Sequence, residues 1–147
     1  MSENFNPQFS KIGEILIHLG KVNESQINQA LAEQKNSRGK IGETLIDLDL
    51  IKEEDFVEAF ALQLGMKKAD NFLLLEADSE VAAMIPEDFA RSNRVLAVKK
   101  NESMLIIAME DPEDLVTIDS IKRLTNLNPE PMVAGTVLLE KALDKVY

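Results

Sequence analysis

The chain has 147 residues, 45% of them apolar and 29% charged, with a formal net charge of −10. That composition suits a folded protein with one respectable core or two small ones, and so negative a balance without a basic stripe argues against a grip on nucleic acid. The absence of cysteine excludes disulfides, thiolate metal sites and thiol nucleophiles, and fits a reducing compartment.

Met1 to Gln8 is polar, with neither a cationic start nor an apolar signal run. The longest apolar runs, such as Phe72 to Leu75 and Met104 to Met109, are far too short to cross a bilayer. The expectation is a cytoplasmic protein with no direct membrane insertion.

The first elements in chain order form a tandem repeat. Lys11 to Gln34 reads KIGEILIHLGKVNESQINQALAEQ and Lys40 to Gln63 reads KIGETLIDLDLIKEEDFVEAFALQ, 24 residues each, offset by 29 and identical at 11 positions. Each copy reads as two short helices. In the first copy Ile12, Ile15, Leu16 and Leu19 make one apolar stripe, and Gly20 stands where a helix stops in the left-handed conformation. Asn23, with Gln26 three residues on, caps a second helix whose stripe is Ile27, Ala30 and Leu31. The second copy repeats this with Ile41, Leu45 and Leu48, then Phe56, Ala59 and Phe60. Helices of about ten residues are marginal alone, so the two copies must pack on each other.

Most repeated apolar positions need no explanation beyond a core. The Lys-x-Gly that opens each copy is different, because it places a cation and a residue without Cβ in a first helical turn, where free amides favour an anion. A helical glycine costs about 1 kcal/mol against alanine, so its repetition marks a close approach, either by a neighbouring helix or by a ligand. Gln34 and Gln63 close the copies, and either serve a ligand or bond stray carbonyls at the helix ends.

After Gly65 the pattern becomes mixed. Phe72 to Leu75 reads as a short strand, Ser79 to Arg91 as helix broken at Ile85-Pro86, and Val95 to Val98 with Met104 to Met109 as a hairpin. Leu115 to Thr125 reads as a helix, Pro131 to Ala134 as a strand, and Val137 to Val146 as a closing helix capped by Thr136. Asp111-Pro112 suits an N-cap and first helical position for the Leu115 helix. The expected fold is therefore α+β: a four-short-helix repeat subdomain over residues 1–66, then a small α+β subdomain over 67–147 with a three- to four-stranded sheet.

Catalytic and metal chemistry lack support in the sequence. Gly39-Lys40 is the nearest approach to a phosphate-binding G-x-x-x-x-G-K-[ST] loop, but Ile41 follows it and Gln34 stands where the first glycine is needed. His18 is the single histidine, and Asp47 takes its place in the second copy. The runs Glu53-Glu54-Asp55 and Asp111-Pro112-Glu113-Asp114 sit at helix starts, where carboxylates favour the dipole. No catalytic residue, metal or cofactor is expected.

The repeat resembles the cyclic di-GMP motif of the domain that precedes many type II secretion and type IV pilus assembly ATPases, R-L-G-x-x-L-V-x-x-G-L-I-x4-L-x3-L-x2-Q, used twice. The resemblance implies nucleotide contacts from Lys11, Ile12, Gly13, Leu16, Gly20, Val22 and Gln34, and from Lys40, Ile41, Gly42, Leu45, Asp49, Ile51 and Gln63. Both opening arginines are lysines here, Lys21 replaces an apolar residue, and Asp49 replaces the turn glycine. Lysine keeps the charge but lacks the planar fork that pairs bidentately with phosphate. Ile85-Pro86-Glu87-Asp88-Phe89-Ala90-Arg91, Ala108-Met109-Glu110-Asp111-Pro112 and Tyr147 resemble the IPE-x-x-AR, A-M-x-DP and terminal aromatic signatures of the same domain. By position, Arg91 and Asp111 become further candidates for the nucleotide site; Arg91 is equally suited to pairing with a nearby carboxylate. The resemblance implies a non-catalytic regulatory domain that binds cyclic di-GMP and relays it to a secretion or pilus ATPase core or an inner-membrane platform protein. It also admits a protein-docking module that links such an ATPase to its platform without nucleotide.

Overall fold

The computed structural model describes residues 5–34 and 41–147, which fall into two compact units, Met1–Met66 and Lys67–Tyr147. Among the described residues the first unit holds a 3-10 turn (Pro7–Phe9) and four helices, α1 (Ile12–His18), α2 (Glu24–Gln34), α3 (Ile41–Asp47) and α4 (Glu53–Leu64). Their ends are built from local chemistry. Asn23 and Gln26 exchange backbone-to-side-chain bonds of 2.9 Å at the start of α2, a complete capping box. At α4 the Asp55 carboxylate accepts from the Lys52 N–H at 2.9 Å.

Both first helices stop in the same way. After α1, Gly20 has φ +76°, and the N–H groups of Lys21 and Gly20 donate to the Leu16 and Ile17 carbonyls, each at 3.0 Å. After α3, Asp49 has φ +61°, with Leu50 and Asp49 donating to Leu45 and Ile46 at 3.0 and 2.9 Å. These are two Schellman motifs, the second built on an aspartate that tolerates the left-handed conformation.

Packing crosses between the copies: α1 lies against α4, and α2 against α3. Exchanging the two copies leaves that pairing unchanged, so each copy contributes equivalent helices to the shared packing. Ile15, Leu16, Val22, Ala30, Leu45, Ile51 and Ala59 form its buried core. Leu31, which the helical stripe places inward, is instead 44% exposed.

The second unit orders α5 (Asn71–Leu75), α6 (Ser79–Ala82), α7 (Glu87–Asn93), β1 (Val95–Asn101), β2 (Met104–Met109), α8 (Leu115–Thr125), β3 (Asn128–Val133) and α9 (Thr136–Val146). The Phe72 to Leu75 run is thus helix rather than strand. Asp70 caps it through Leu73 N–H at 2.7 Å, and Leu74 is buried in the core beneath; four apolar residues carry no period to separate the two possibilities. Two capping expectations are also corrected. Asp114, not Asp111, caps α8 by accepting from Thr117 N–H and Oγ1 at 3.1 and 2.7 Å, which leaves its carboxyl below the usual range. Asp111 instead closes a tight turn one step earlier, accepting from Glu113 N–H at 3.1 Å. The cap residue of α9 is Gly135, with Thr136 as the first helical residue.

The sheet has the order β1-β2-β3, with β1 and β2 antiparallel and β2 and β3 parallel through the α8 crossover. Strand β3 starts three residues earlier than the sequence suggests, taking in Pro129 as well as Pro131, and ends at Val133. Its ladder explains how. Asn128 N–H donates inward to Ser103 O at 2.8 Å, while Val133 N–H donates to Lys67 O at 3.0 Å on the opposite side. By alternation Pro129 and Pro131 fall at positions whose N–H would face away from β2, so the edge strand loses no ladder bond to them. Tyr147 fixes the α6–α7 corner, its hydroxyl lying 2.8 Å from both the Ala82 and Ile85 carbonyls.

The two Schellman turns yield a paired test in chemical denaturation. Gly20→Ala should lower stability by roughly 1–2 kcal/mol, the cost of a Cβ in the left-handed region. Asp49→Gly should raise it, by roughly 0.5–1 kcal/mol once glycine's entropy is set against the relieved strain.

Candidate functional site

The repeat brings corresponding motif residues onto equivalent parts of the two halves. Lys11 is the N-cap residue of α1, exposed and without a side-chain cap bond, and its carbonyl accepts from Ile15 N–H at 3.2 Å. Lys40, its counterpart, lies outside the described residues. Ile12 and Ile41 are half-buried at the helix starts, against the core. Leu16 and Leu45 are both 0% exposed, and Val22 and Ile51 are 7% and 5% exposed, so these four motif residues belong to the core. Gly20 and Asp49 are the exposed turn residues already described.

The two motif glycines face the second helix of their own copy. A Cβ at Gly13 would meet Ile27 at 3.4 Å, whereas one at Gly42 would run into the Phe56 ring. Close helix packing therefore accounts for the glycine in the second copy, where the sequence alone left packing and ligand approach open; in the first copy a Cβ would make only ordinary contact. Phe56 in turn stacks on Phe60, with ring centroids 5.5 Å apart.

Electrostatics in the first unit centre on Lys21. Its ammonium lies 3.2 Å from Asp55 and 3.6 Å from Glu58, joining the turn of the first copy to α4 of the second. The hydrogen bond to Asp55 and the two nearby carboxylates hold the lysine above its ordinary range. Burial pushes Asp55 up, but the Lys52 N–H and the Lys21 ammonium outweigh it and leave the carboxyl below its usual range. The residue replacing an apolar family position is thus neutralised within the fold. The sequence offered a signal for half of this pair, since Asp55 occupies the capping place of Gln26 in the first copy.

The closing glutamine of the second copy has a defined partner: Gln63 Nε2 donates to Ser10 O at 3.1 Å. Gln34, half-buried, ends α2. Sequence reasoning did not identify the Ser10 carbonyl, because it lies ahead of the repeat and a backbone acceptor leaves no residue signature.

Arg91 and Asp111 belong to the second unit. Arg91 donates to Glu87 and Asp144, both at 2.8 Å, the carboxylate pairing that the sequence admitted. Nearby, Arg94 bonds Glu110 at 3.0 Å and the Thr136 carbonyl at 3.2 Å. Among the described residues no group of His, Asp or Glu is arranged to hold a metal ion, and no helix is long and apolar enough to cross a membrane.

Two outcomes follow from this geometry. Gly42→Ala should destabilise the protein by about 1–3 kcal/mol through overpacking against Phe56, whereas Gly13→Ala should be near neutral, both read by urea denaturation. The depressed Asp55 carboxyl contributes stability that is present above the unfolded value of about 3.9 and lost as pH falls through the lower folded value. Asp55→Asn should therefore cost stability at pH 7 and close its gap to wild type at pH 2–3, measured by denaturant midpoints.

The comparisons with known proteins agree with the architecture. The chain is 27% identical over 137 residues to the type IV pilus assembly ATPase PilB of Myxococcus xanthus (strain DK1622), a match covering 93% of this chain and 24% of that protein, so the chain spans about a quarter of that relative's length. A structure described as MshE with cdg superposes with a TM-score of 0.76 at 30% identity, covering 94% of this chain and 99% of that one. The N-terminal domain of XpsE shares the fold, with a TM-score of 0.66 at 21% identity over 99% of both chains. The family model of the MshEN domain matches residues 71–147, the half of the chain that carries the Ile85-Pro86-Glu87 and Asp111-Pro112 signatures, and the chain belongs to the MshEN domain family.

Proposed function

We propose that the chain is a non-catalytic regulatory domain of the secretion and pilus ATPase type, which binds cyclic di-GMP through its two repeated motifs and relays the bound state to an ATPase core. The observation that carries this reading is the likeness to MshE with cdg, which spans the repeats as well as the sheet unit. The crossed pairing of α1 with α4 and α2 with α3 supports it, because a ligand with two phosphates and two guanines related by a two-fold suits two equivalent half-sites. In this reading Lys11 and Lys40 meet the phosphates, and Ile12 and Ile41 offer aliphatic surface to the bases. Gly13, Gly20, Gly42 and Asp49 shape the backbone around them. Leu16, Leu45, Val22 and Ile51 hold the frame, and Gln34 and Gln63 close it. Arg91 and Asp111 are candidates through the family signatures alone.

A second reading, docking to an ATPase core or an inner-membrane platform protein, is favoured by one feature of the sheet unit. Leu115 and Val116 are 73% and 79% exposed side by side at the start of α8, an apolar pair that a partner would cover. The two readings are compatible.

Calorimetry with cyclic di-GMP at physiological salt tests the first. The wild-type chain should bind at roughly hundred-micromolar protein, and Lys11→Ala should weaken binding by about tenfold, the loss of one charge-assisted contact. No heat at that concentration, or unchanged affinity in a Lys11→Ala, Lys40→Ala pair, would overturn the ligand or the phosphate role respectively.

A further inference from the structure

The residues ahead of the first motif are folded into the repeat unit. Asn6 caps the Pro7–Phe9 turn through Gln8 N–H at 3.1 Å, and its carbonyl accepts the Ser10 hydroxyl at 2.9 Å. Phe5 stacks on His18 of α1, with ring centroids 3.8 Å apart and planes 13° from parallel. The Gln8 side chain lies over Gly65, so closely that a Cβ there would collide with its amide. The turn packs along α4, and the Gln63 amide of that helix holds the Ser10 carbonyl at 3.1 Å. The Ser10 carbonyl belongs to the peptide group that ends at the Lys11 nitrogen. One side chain from the end of the second motif thus fixes the backbone that leads into the first.

We infer that Gln63 is a positioning residue and that Phe5–Ser10 is a strap: together they lock the start of the first motif onto the end of the second, so that the nucleotide meets both motifs already in register. The inference rests on the cyclic di-GMP reading and assigns its closing glutamine a role through Ser10 and Lys11 rather than through ligand contact. It also gives Phe5 and Gln8, which lie outside both motifs, a part in affinity. A strap of this kind acts by pre-organisation, removing ordering cost at the moment of binding.

The test is a double-mutant cycle on the full 147-residue chain. Gln63→Ala and Phe5→Ala, with Phe5→Leu as a milder variant that keeps apolar volume but not the stack, are titrated with cyclic di-GMP singly and together. Each single variant should weaken binding by roughly threefold to tenfold, and the double variant should be little worse than the weaker single one, because both break the same strap. A loss on Gln63→Ala with none on either Phe5 variant, or losses that multiply, would overturn the inference in favour of direct contact. Hydrogen exchange on the ligand-free protein separates this from failure of the ligand reading. Both Gln63→Ala and Phe5→Ala should speed exchange of the Ile15 amide, whose acceptor is Lys11 O at 3.2 Å. Unchanged exchange would sink the strap even if the nucleotide binds, and faster exchange without nucleotide binding would sink only the ligand reading.

Discussion

Helices of seven to twelve residues do not stand alone in water, and among the described residues of the first unit no helix has its main packing partner within its own copy of the repeat. The burial of Ile15, Leu16, Leu45 and Ala59 between copies is the interaction on which the rest depends. Because α1 needs α4 and α2 needs α3, neither copy can fold as an independent hairpin, and the two motif starts are held by one shared core. A functional site that uses both motifs inherits its geometry from that core. This is why the most deeply buried motif residues, Leu16 and Leu45, matter to a surface they do not reach.

The second unit solves a different problem with local devices. A parallel strand pair needs a crossover, supplied by α8, and an edge strand needs protection, supplied by prolines at outward positions and by the bonds of Lys67 and Ala69 to Val133. Arg94, itself left-handed at φ +53°, ties the end of α7 to Glu110 and to the start of α9. Tyr147 then anchors the corner between α6 and α7, and burial raises its hydroxyl above the ordinary phenol range. The family signatures in this half thus coincide with residues that have structural partners: Arg91 with Glu87 and Asp144, Asp111 with Glu113, and Tyr147 with Ala82 and Ile85.

Charge in the repeat unit is arranged rather than merely negative. Lys21 is engaged by Asp55 and Glu58, while Lys11 is the exposed N-cap residue of α1. Substituting a lysine for an apolar residue at the Lys21 position therefore adds a bridge between copies. The aspartate at 49 keeps the turn by adopting the glycine conformation, so that departure falls on a surface charge and on modest backbone strain.

The sequence by itself determined the tandem repeat, its four helices, the capping pair Asn23 and Gln26, the left-handed stops at Gly20 and Asp49, and the α+β class of the second half. All of these rest on contacts within a few residues, or on a repetition that a linear string displays. The tertiary structure alone decided that the copies pack crosswise, that Gly42 makes room for Phe56, that Lys21 meets Asp55 and that Gln63 reaches Ser10. It also turned Phe72 to Leu75 from strand to helix and drew Pro129 into β3. Short apolar runs have no period to read, and a proline in a strand is tolerated only on the side that faces no partner; neither property exists until neighbouring elements are in place.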